Sequence, residues 1–414
     1  MATEEDHRRL GQEVAEYFTY NPNINFVGFA GLGRHGGALI MEEKVGPDQA
    51  VRKLVVKYSL GSLSSDEDSD SDDQLRNEYR WLEMLRGAEH IVQLVPFADC
   101  SLNLPGISNG ESTYQSSLRR AERSYQALDS QEDINADGNI ITREPLRVRR
   151  CPTFALEHLP NGTFHAVLDK LWMQQALIPN RMLWRIWLCL VRQCVAMAFP
   201  PNIPPQSYNG QIERERIDPD REYYTLTQNS SHIDNFLFGS QSSWSPDIDH
   251  DPGVPVVKLI DFGRGRADNA IDYVRAGLPN PFEFGTRTNL WGAASVMMYL
   301  CLPYEDDDRL EQLEEPVLYE YMGRYRSVEI LTVAPQPLRE ARIIDIRLRD
   351  QLVRCLAAEM SDRPSLRQAL DAAETEVNNR SPQDNSEFQN WMEMSESDET
   401  IRDFVQRLFY DADA

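Results

Sequence analysis

The sequence predicts an α+β protein with two lobes, the first rich in β-strands and the second, larger one mostly helical. Between Phe26 and Tyr58, short apolar runs alternate with Gly-rich and Gly-Pro-Asp turns, a pattern typical of a three-stranded antiparallel meander. The stretches "IWLCLVRQCVAMAF" and "LWGAASVMMYLCL" have helical character but are too apolar for a solvent-facing helix. They indicate a helical lobe with a buried centre.

The chain divides into four segments. Residues 1–22 carry an amphipathic helix, residues 23–160 form the first lobe, residues 161–377 form the second, and residues 378–414 are an acidic extension. The apolar positions that predict the first and the last helix are Leu10, Val14, Tyr17, Phe18, Ile401, Phe404, Val405 and Leu408. Two polar segments of the first lobe, 61–74 and 100–150, are expected to be surface insertions.

Composition limits the classes of function. With 41% hydrophobic and 26% charged residues, the chain has an ordinary globular balance. A formal net charge of −24 disfavours nucleic acid and anionic membrane surfaces as partners. The first residues do not have the layout of a secretory signal, and no apolar run reaches the length of a membrane span. Six cysteines without C-x-x-C pairing are typical of a reducing compartment, so we expect an intracellular protein, cytoplasmic or nuclear.

A glycine-rich turn and a lysine follow each other in the predicted meander. "GLGRHGGA" places Gly31, Gly33 and Gly36 in G-x-G-x-x-G spacing, which suits a backbone lying close over phosphates but also suits a plain hairpin turn. Lys57 ends the run "LVVK", and it is one of only five lysines among 42 basic residues. Because side chains alternate along a strand, Val55 and Lys57 share one face.

Two acidic residues further along the chain lie in motifs that suggest a function. Glu78 lies in the helical pattern "RNEYRWLEML", and Asp261 lies in "VVKLIDFGRG", after a β-rich apolar run and before a glycine-bearing loop. A carboxylate in the setting of Asp261 suits a magnesium ligand. A glutamate in the setting of Glu78 is also typical of a solvated helix face.

Taken in this order, these motifs resemble the eukaryotic protein kinase family from about Phe26 to Ala373. The resemblance implies that ATP and Mg²⁺ are the ligands, with the three glycines over the phosphates. It implies that Lys57 holds the α- and β-phosphates, that Glu78 holds Lys57, and that Asp261 binds Mg²⁺.

The resemblance also implies an adenine slot. Ala38 and Val55 take the positions where the family has a valine and an alanine, a swap that conserves volume but equally fits two unrelated core substitutions. "TFALEHLPNGTF" resembles the hinge, with Leu156 as gatekeeper and the backbone of Glu157 to Leu159 offered to the adenine edge. "EHIVQL" resembles the strand before it.

The catalytic loop departs from the family pattern H-R-D-x-x-x-x-N. In "TQNSSHIDNFLFG", Asn235 matches the magnesium-binding asparagine, which puts Ser230 where the catalytic aspartate belongs and Gln228 where the histidine belongs. A serine hydroxyl stays protonated near neutral pH and cannot draw off a proton as a carboxylate does. Asp234 is the alternative base, but it directly precedes Asn235, so its carboxylate is expected to face elsewhere.

Further departures point the same way. Asn289, before Trp291, replaces an aspartate that steadies the catalytic loop in the family. The preceding loop, between Gly263 and Phe284, is short and offers Tyr273 alone as a phosphate acceptor. Glu283 is expected to pair with Arg363.

Two signals lie outside the kinase pattern. "DINADGNIITRE" fits a calcium loop through Asp133, Asn135, Asp137, Gly138 and Glu144, although Pro145 interrupts the helix that such a loop needs, so a polar turn is the alternative. The serines of "SSDEDSDSDD" lie among acidic residues. They are either part of a solvated loop or sites for an acidophilic kinase.

The interpretation that follows is a pseudokinase that binds ATP and Mg²⁺ but is catalytically impaired and acts by presenting a surface to protein partners. An active, divergent serine/threonine-type kinase that uses Asp234 or no base is the first alternative. A calcium-responsive binding module is the second.

Overall fold

In a computed structural model the chain folds into a mixed α+β protein. The structure describes residues 4–19, 21–33, 36–45, 50–60, 71–95, 146–148, 151–201, 203, 210–221, 224, 226–239, 253–267, 283–305, 310, 315–323, 325–381 and 396–411. The calcium-type loop 133–144, the serines Ser64, Ser65 and Ser69, and Tyr273 lie outside these ranges, as does most of the predicted insertion 100–150.

The chain forms two compact units. The first comprises residues 1–86, 92–158 and 262–264, and the second comprises residues 87–91, 159–261 and 265–414. The N-terminal helix, expected as a separate segment, belongs to the first unit. The C-terminal extension belongs to the second.

The first unit is built on a five-stranded antiparallel sheet in the order β1-β2-β3-β5-β4. The strands are β1 (Ile24–Leu32), β2 (Gly36–Val45), β3 (Ala50–Ser59), β4 (Leu146–Val148) and β5 (Cys151–Glu157). The first three strands confirm the predicted antiparallel meander, because β2 pairs with both β1 and β3. The chain joins β5 to the free side of β3, so the lysine strand lies inside the sheet.

Helix α1 (Glu4–Thr19) covers one face of this sheet. Its apolar stripe is buried in a cluster with the inward side chains of β2 and β3; the cluster includes Leu10, Val14, Phe18, Leu39, Met41, Leu54, Val56 and Tyr58. Since side chains alternate across a strand, the intervening residues of β2 and β3 lie on the opposite face, which α1 does not cover.

Tyr58 on β3 connects α1 to the sheet through a hydrogen bond, and two glycines make room for its side chain. Its hydroxyl donates to the His7 carbonyl over 3.0 Å. A Cβ at Gly11 would lie 2.5 Å from the Tyr58 hydroxyl oxygen, and a Cβ at Gly37 would collide with that oxygen and with the ring carbon that carries it. Glycine at both positions therefore lets the helix and the strand close around the buried tyrosine.

The segment after helix α2 (Ser71–Met84) is not the strand that "EHIVQL" led us to expect. Ile91 and Leu94 form only isolated bridges, to Leu259 and Leu156. The segment still makes backbone hydrogen bonds, such as the one from Val95 N–H to the Ala155 carbonyl of β5 over 2.9 Å. Two of its N–H groups are bound by side chains instead, because that of His90 donates to the Glu215 carboxylate and that of Gln93 donates to Glu157 Oε1, each at 2.8 Å.

The second unit is mostly helical. Its helices are α3 (Phe164–Gln174), α4 (Asn180–Ala198), α5 (Glu283–Cys301), α6 (Gln336–Glu340), α7 (Ile346–Cys355), α8 (Leu366–Asn379) and α9 (Asp398–Val405). Helix α4 is buried along nearly its whole length, including Trp184 and Trp187, and it packs on α5 and α8. The two apolar segments predicted to fill the centre of the helical lobe lie in α4 and α5.

Three short antiparallel pairs complete the second unit. β6 (Leu226–Thr227) pairs with β9 (Arg266–Ala267), and β7 (Phe236–Phe238) pairs with β8 (Val257–Leu259). The third pair, β10–β11, is a hairpin described below. A 3₁₀ turn, Ile233–Asn235, leads directly into β7.

The C-terminal segment is part of the second unit's core. The α9 helix and its π-helical continuation, Gln406–Tyr410, bury all four predicted apolar positions. Glu396 caps α4 by accepting from the backbone N–H groups of Asn180 and Arg181 over 2.6 Å and 2.9 Å. Lys170 Nζ donates to the Leu408 carbonyl over 2.8 Å.

Among the residues that the structure describes, none of the helices combines the length and the apolar character that crossing a membrane requires.

Candidate functional site

Lys57 and Glu78 form an ion pair in the first unit. Lys57 Nζ, near the end of β3, donates to Glu78 Oε1 over 2.7 Å and to Oε2 over 2.8 Å. The side chain of Glu78 is 3% exposed and that of Lys57 is 19% exposed. The carboxylate is therefore almost fully desolvated, while part of the lysine side chain remains exposed.

The predicted adenine residues share a face with this lysine. The β2–β3 register places Ala38 opposite Lys57 and Ile40 opposite Val55, and β5 places Leu156 opposite Val55. This is the face that α1 leaves uncovered, and Ala38, Val55 and Lys57 are each only partly buried on it. The predicted common face of these residues is thus present in the sheet.

The three glycines at the β1–β2 turn differ in whether neighbouring atoms leave room for a side chain. Gly36 lies so close to the backbone of Tyr58 that an added Cβ would fall 3.3 Å from the Tyr58 carbonyl carbon, so the fold itself needs a glycine there. At Gly31 an added Cβ meets nothing within 4 Å, and at Gly33 it meets only the Gly36 oxygen at 3.5 Å. Packing within the described residues does not explain these two glycines, whereas close approach of a ligand would.

Helix α2 also holds the D-F-G segment within the first unit. Asn77, next to Glu78, donates from Nδ2 to the carbonyl of Gly263 over 3.0 Å and to that of Phe262 over 3.5 Å. Phe262 is fully buried. One turn of α2 therefore fixes both the lysine's partner and the backbone that follows Asp261.

At the predicted hinge, the chain passes from the first unit to the second. The Glu157 N–H donates to the Gln93 carbonyl over 3.0 Å, so it is occupied. The gatekeeper Leu156 is buried at 3% exposure. The backbone N–H and carbonyl of Leu159, by contrast, have no hydrogen-bond partner among the described residues, so they are the hinge groups that remain for a ligand.

The loop at 228–235 is ordered around Gln228 in the second unit. Gln228 Oε1 accepts from the Ser230 N–H over 2.9 Å, and Nε2 donates to the Asp261 carbonyl over 3.0 Å. Asn235 Nδ2 donates to both the carbonyl and the hydroxyl oxygen of Ser230, over 2.8 Å and 3.2 Å. Gln228 thus bridges the loop to the residue that the resemblance assigns to Mg²⁺.

Helix α5 supports this loop from below. Asn289 Oδ1 accepts from the Gln228 N–H over 3.2 Å, and its Nδ2 donates to the Leu226 carbonyl over 2.8 Å. One turn on, Gly292 faces Ser231, since an added Cβ would lie 2.8 Å from the Ser231 Cβ. Asn289 therefore bonds this loop and its neighbouring strand with both ends of its amide.

The two predicted metal ligands lie at the same end of one strand pair. Asn235 directly precedes β7 and Asp261 follows β8, and Ile260 N–H donates to the Asn235 carbonyl over 2.9 Å. The Asn235 amide nitrogen makes the bonds to Ser230, and the carboxamide oxygen accepts no hydrogen bond from the described residues. An amide oxygen beside a carboxylate is a donor set that fits Mg²⁺.

Asp261 and Asn229 adopt the left-handed backbone region, with φ of +62° and +57°. Aspartate and asparagine tolerate this region better than other residues with a side chain, and such conformations persist where the surroundings enforce them. Here the bond from Gln228 to the Asp261 carbonyl supplies part of that constraint.

Asp234 points to a different set of groups. Its carboxylate lies 3.2 Å from His232 Nδ1 and 3.5 Å from His165 Nδ1, and its side chain is 49% exposed. The structure shows no contact from this carboxylate to Ser230 or Asn235 among the described residues. Its surroundings are an exposed histidine pair, in keeping with the expectation that it faces away from the aligned base position.

The expected pair of Glu283 and Arg363 is wrong. Glu283 Oε2 accepts instead from Arg287 Nη2 over 2.6 Å, one helical turn away on α5. Arg287 Nη1 also donates to the carbonyls of Met360 and Ser361, while Arg363 Nε donates to the Ala357 carbonyl over 3.0 Å. Arg363 keeps a structural role, but Arg287 is the residue that links the two segments.

A buried ion pair lies elsewhere in the second unit. Glu215 accepts from the His90 N–H over 2.8 Å and lies 2.7 Å from His90 Nδ1. Burial alone would lower the pKa of His90, but the Glu215 carboxylate, with Cys189 nearby, raises it to about 10. Glu89 lies close enough to complete a metal-sized cluster. A protonated imidazole cannot act as a ligand, however, and the geometry is that of a structural ion pair.

Asn77 and Gly292 are site-supporting residues that the sequence analysis did not identify. Asn77 was visible only as the neighbour of Glu78. Gly292 lies in an apolar helix where a lone glycine lowers helix propensity and so indicates a close contact.

No family model matches the chain, and none of the curated proteins matches its sequence.

Proposed function

We propose that the protein is a kinase-like nucleotide-binding protein that takes up ATP with Mg²⁺ and is impaired in phosphoryl transfer. The observation that carries this proposal is the Lys57–Glu78 pair, formed with both carboxylate oxygens and placed on the uncovered sheet face beside Ala38 and Val55. A partly exposed ammonium group held by a desolvated carboxylate is arranged to neutralise phosphate oxygens.

Further support comes from two glycines and from polar groups that have no hydrogen-bond partner among the described residues. In the first unit, Gly31 and Gly33 are glycines that packing does not require. In the second, the backbone of Leu159 and the carboxamide oxygen of Asn235 have no partner among the described residues. When bound, Mg²⁺ would be held by Asn235 and Asp261 and would neutralise charge on the phosphates.

Impairment rests on the residue at position 230. The hydroxyl of Ser230 accepts from Asn235 Nδ2, so it occupies the aligned position without providing a carboxylate. Since phosphoryl transfer depends mostly on positioning and charge neutralisation, loss of the base alone lowers the rate by about 10²- to 10⁴-fold rather than abolishing it. A protein with these features binds nucleotide and acts chiefly through its surfaces.

Calorimetric titration of ATP with Mg²⁺ into the wild-type protein and into Lys57→Met tests the proposal. Micromolar affinity, about −8 kcal/mol, that is lost in Lys57→Met is the expected result. Lys44→Met is the matched control, because it removes the same charge from an exposed position on β2 and should leave binding intact. Absence of binding by the wild-type protein refutes the nucleotide site.

An active, divergent kinase is the second candidate, favoured by the intact support of Asn235 and Asp261 in the loop. It predicts transfer of the γ-phosphate of labelled ATP that disappears in Asp261→Ala. The pseudokinase hypothesis predicts that the wild-type protein binds Mg²⁺–ATP but transfers phosphate at a rate close to that of Asp261→Ala.

A further inference from the structure

The β10–β11 hairpin presents a face that the fold itself does not use. β10 (Val317–Met322) and β11 (Ser327–Thr332) pair antiparallel in the second unit. Their side chains alternate between a face turned to α7 and a face turned to solvent. The inward side chains are at least partly buried, whereas the outward side chains are exposed.

The inward face anchors the hairpin on α7. Tyr319 Oη donates to Asp350 Oδ1 over 2.6 Å, and the guanidinium of Arg354 lies over the Tyr321 ring at 4.9 Å. Thr332 is fully buried and donates from its hydroxyl to the carbonyls of Val353 and Leu356, each at 3.0 Å. The hairpin is therefore a fixed platform, held by polar and aromatic contacts along its length.

The outward face carries large apolar side chains in solvent. Leu318 lies opposite Leu331, and Met322 follows two positions further along β10. Their exposed fractions are 64%, 45% and 76%. Together with the outward glutamates between them, these residues form what we term the hairpin face.

Two glutamates face each other in the middle of the hairpin face. Glu320 lies directly opposite Glu329 in the register, between the leucine pair and Met322. Glu320 accepts a hydrogen bond from Ser327, but the carboxylate of Glu329 has neither a hydrogen bond nor an ion pair among the described residues. Like charges in directly opposed positions destabilise a strand pair, so the fold alone does not explain this arrangement.

From this arrangement we infer that the hairpin face is a docking site for an extended segment of a partner protein that carries an arginine or lysine between two apolar side chains. The face presents an apolar pair, an acidic pair and an apolar residue at two-residue intervals. An extended segment repeats with the same interval, so apolar-x-Arg-x-apolar matches it side chain for side chain. A chain with a net charge of −24 attracts a basic partner and repels a second copy of itself.

The inference does not depend on the nucleotide site and is tested separately. The probe is a fluorescein-labelled peptide, Thr-Leu-Thr-Arg-Thr-Leu-Thr, titrated with the full chain and followed by fluorescence anisotropy. We expect saturable binding that weakens at least tenfold in Glu320→Gln/Glu329→Gln and at least tenfold when glutamine replaces the peptide's arginine. Glu315→Gln is the control, because it removes an exposed carboxylate outside the hairpin face and should bind like wild type.

Several outcomes overturn the inference. They are no saturable binding, equal binding of the glutamine peptide, or a concentration-dependent dimer that the double substitution abolishes, which would assign the face to a second copy. Thermal unfolding checks the premise, since removal of two opposed charges should leave the midpoint unchanged or raise it. A clear fall would mean that the glutamates stabilise the hairpin, and the argument for a docking role would fail.

Discussion

Asn235 holds Ser230 at two points, donating from one amide nitrogen to the serine's carbonyl oxygen over 2.8 Å and to its hydroxyl oxygen over 3.2 Å. Gln228 fixes the N–H of the same serine over 2.9 Å. Under the proposed alignment, Ser230 stands at the position of the catalytic base and provides no charge there.

Ser230→Asp should therefore raise phosphoryl transfer. A carboxylate at this position can still accept from Asn235 Nδ2 and can take a proton from a substrate hydroxyl. We expect an increase of about 10²- to 10⁴-fold over wild type, the usual contribution of a general base. Transfer of labelled phosphate from ATP to a generic serine/threonine substrate measures it.

Ser230→Asn is the matched control, since it has nearly the same volume as aspartate but no charge and should leave the rate at the wild-type level. If Ser230→Asp binds Mg²⁺–ATP normally and still gives no increase, the proposed alignment of the loop with H-R-D-x-x-x-x-N is wrong.

Lys57→Met should destabilise the first unit even without nucleotide. The substitution removes the ammonium group that donates to both oxygens of the Glu78 carboxylate, whose side chain is 3% exposed. Removing one partner of a buried pair costs about 3–5 kcal/mol, because the remaining charge is desolvated without compensation. The midpoint of chemical denaturation, followed by circular dichroism, reports the change.

The double substitution Lys57→Met/Glu78→Gln separates stability from binding. It also removes the charge of the buried carboxylate, so it should recover most of the stability that Lys57→Met loses and still fail to bind Mg²⁺–ATP. A double variant that regains both properties would show that Lys57 matters only as the partner of Glu78.

Much of the first unit could be predicted from sequence because its signals are local. The alternation of apolar and polar residues from Phe26 to Tyr58 predicted the meander and placed Val55 and Lys57 on one face. The segment "EHIVQL" forms only isolated bridges, and two of its backbone N–H groups donate to Glu157 and Glu215, which lie far away in the chain. Such tertiary acceptors leave no pattern in the local sequence.

In the second unit, the loop residues could be identified by alignment, but their bonds could not. Gln228 was recognised only as a replacement for histidine, although it reaches Asp261, which lies 33 positions further on. The β10–β11 hairpin had a readable signal in the alternating "VLYEYM" and "SVEILT", and we did not identify it. Its opposed glutamates become visible only once the register is known.

The His90–Glu215 pair should make stability depend on pH. The pKa of His90 is raised from 6.5 to about 10, so the pair's contribution is complete below about pH 6.5 and is lost as the pH rises toward 10. Burial raises the pKa of Glu215, but His90 outweighs this and lowers it below 4.5, so a second loss occurs as the pH falls below that value. Thermal midpoints from pH 4 to pH 10 measure both slopes.

In His90→Gln the amide can still donate to Glu215 but does not titrate. This variant should be less stable near neutral pH by about 3–5 kcal/mol, as expected when a buried charge loses its counter-ion. The gap between it and wild type should narrow from pH 7 to pH 10. A constant gap over that range would show that His90 is not protonated in the folded protein.

Gly292→Ala should disturb the loop at 228–235, because Gly292 lies against Ser231. The added Cβ would fall 2.8 Å from the Ser231 Cβ and closer still to its hydroxyl oxygen, so Ser231 must shift. Since overpacking of this kind costs roughly 1–3 kcal/mol, the thermal midpoint should fall and Mg²⁺–ATP binding should weaken, because Ser231 follows the serine that Asn235 holds. Ser231→Gly removes both contacting atoms. The Gly292→Ala substitution should therefore cost less stability and less binding in a Ser231→Gly background than in the wild-type protein. Strictly additive losses would contradict the contact.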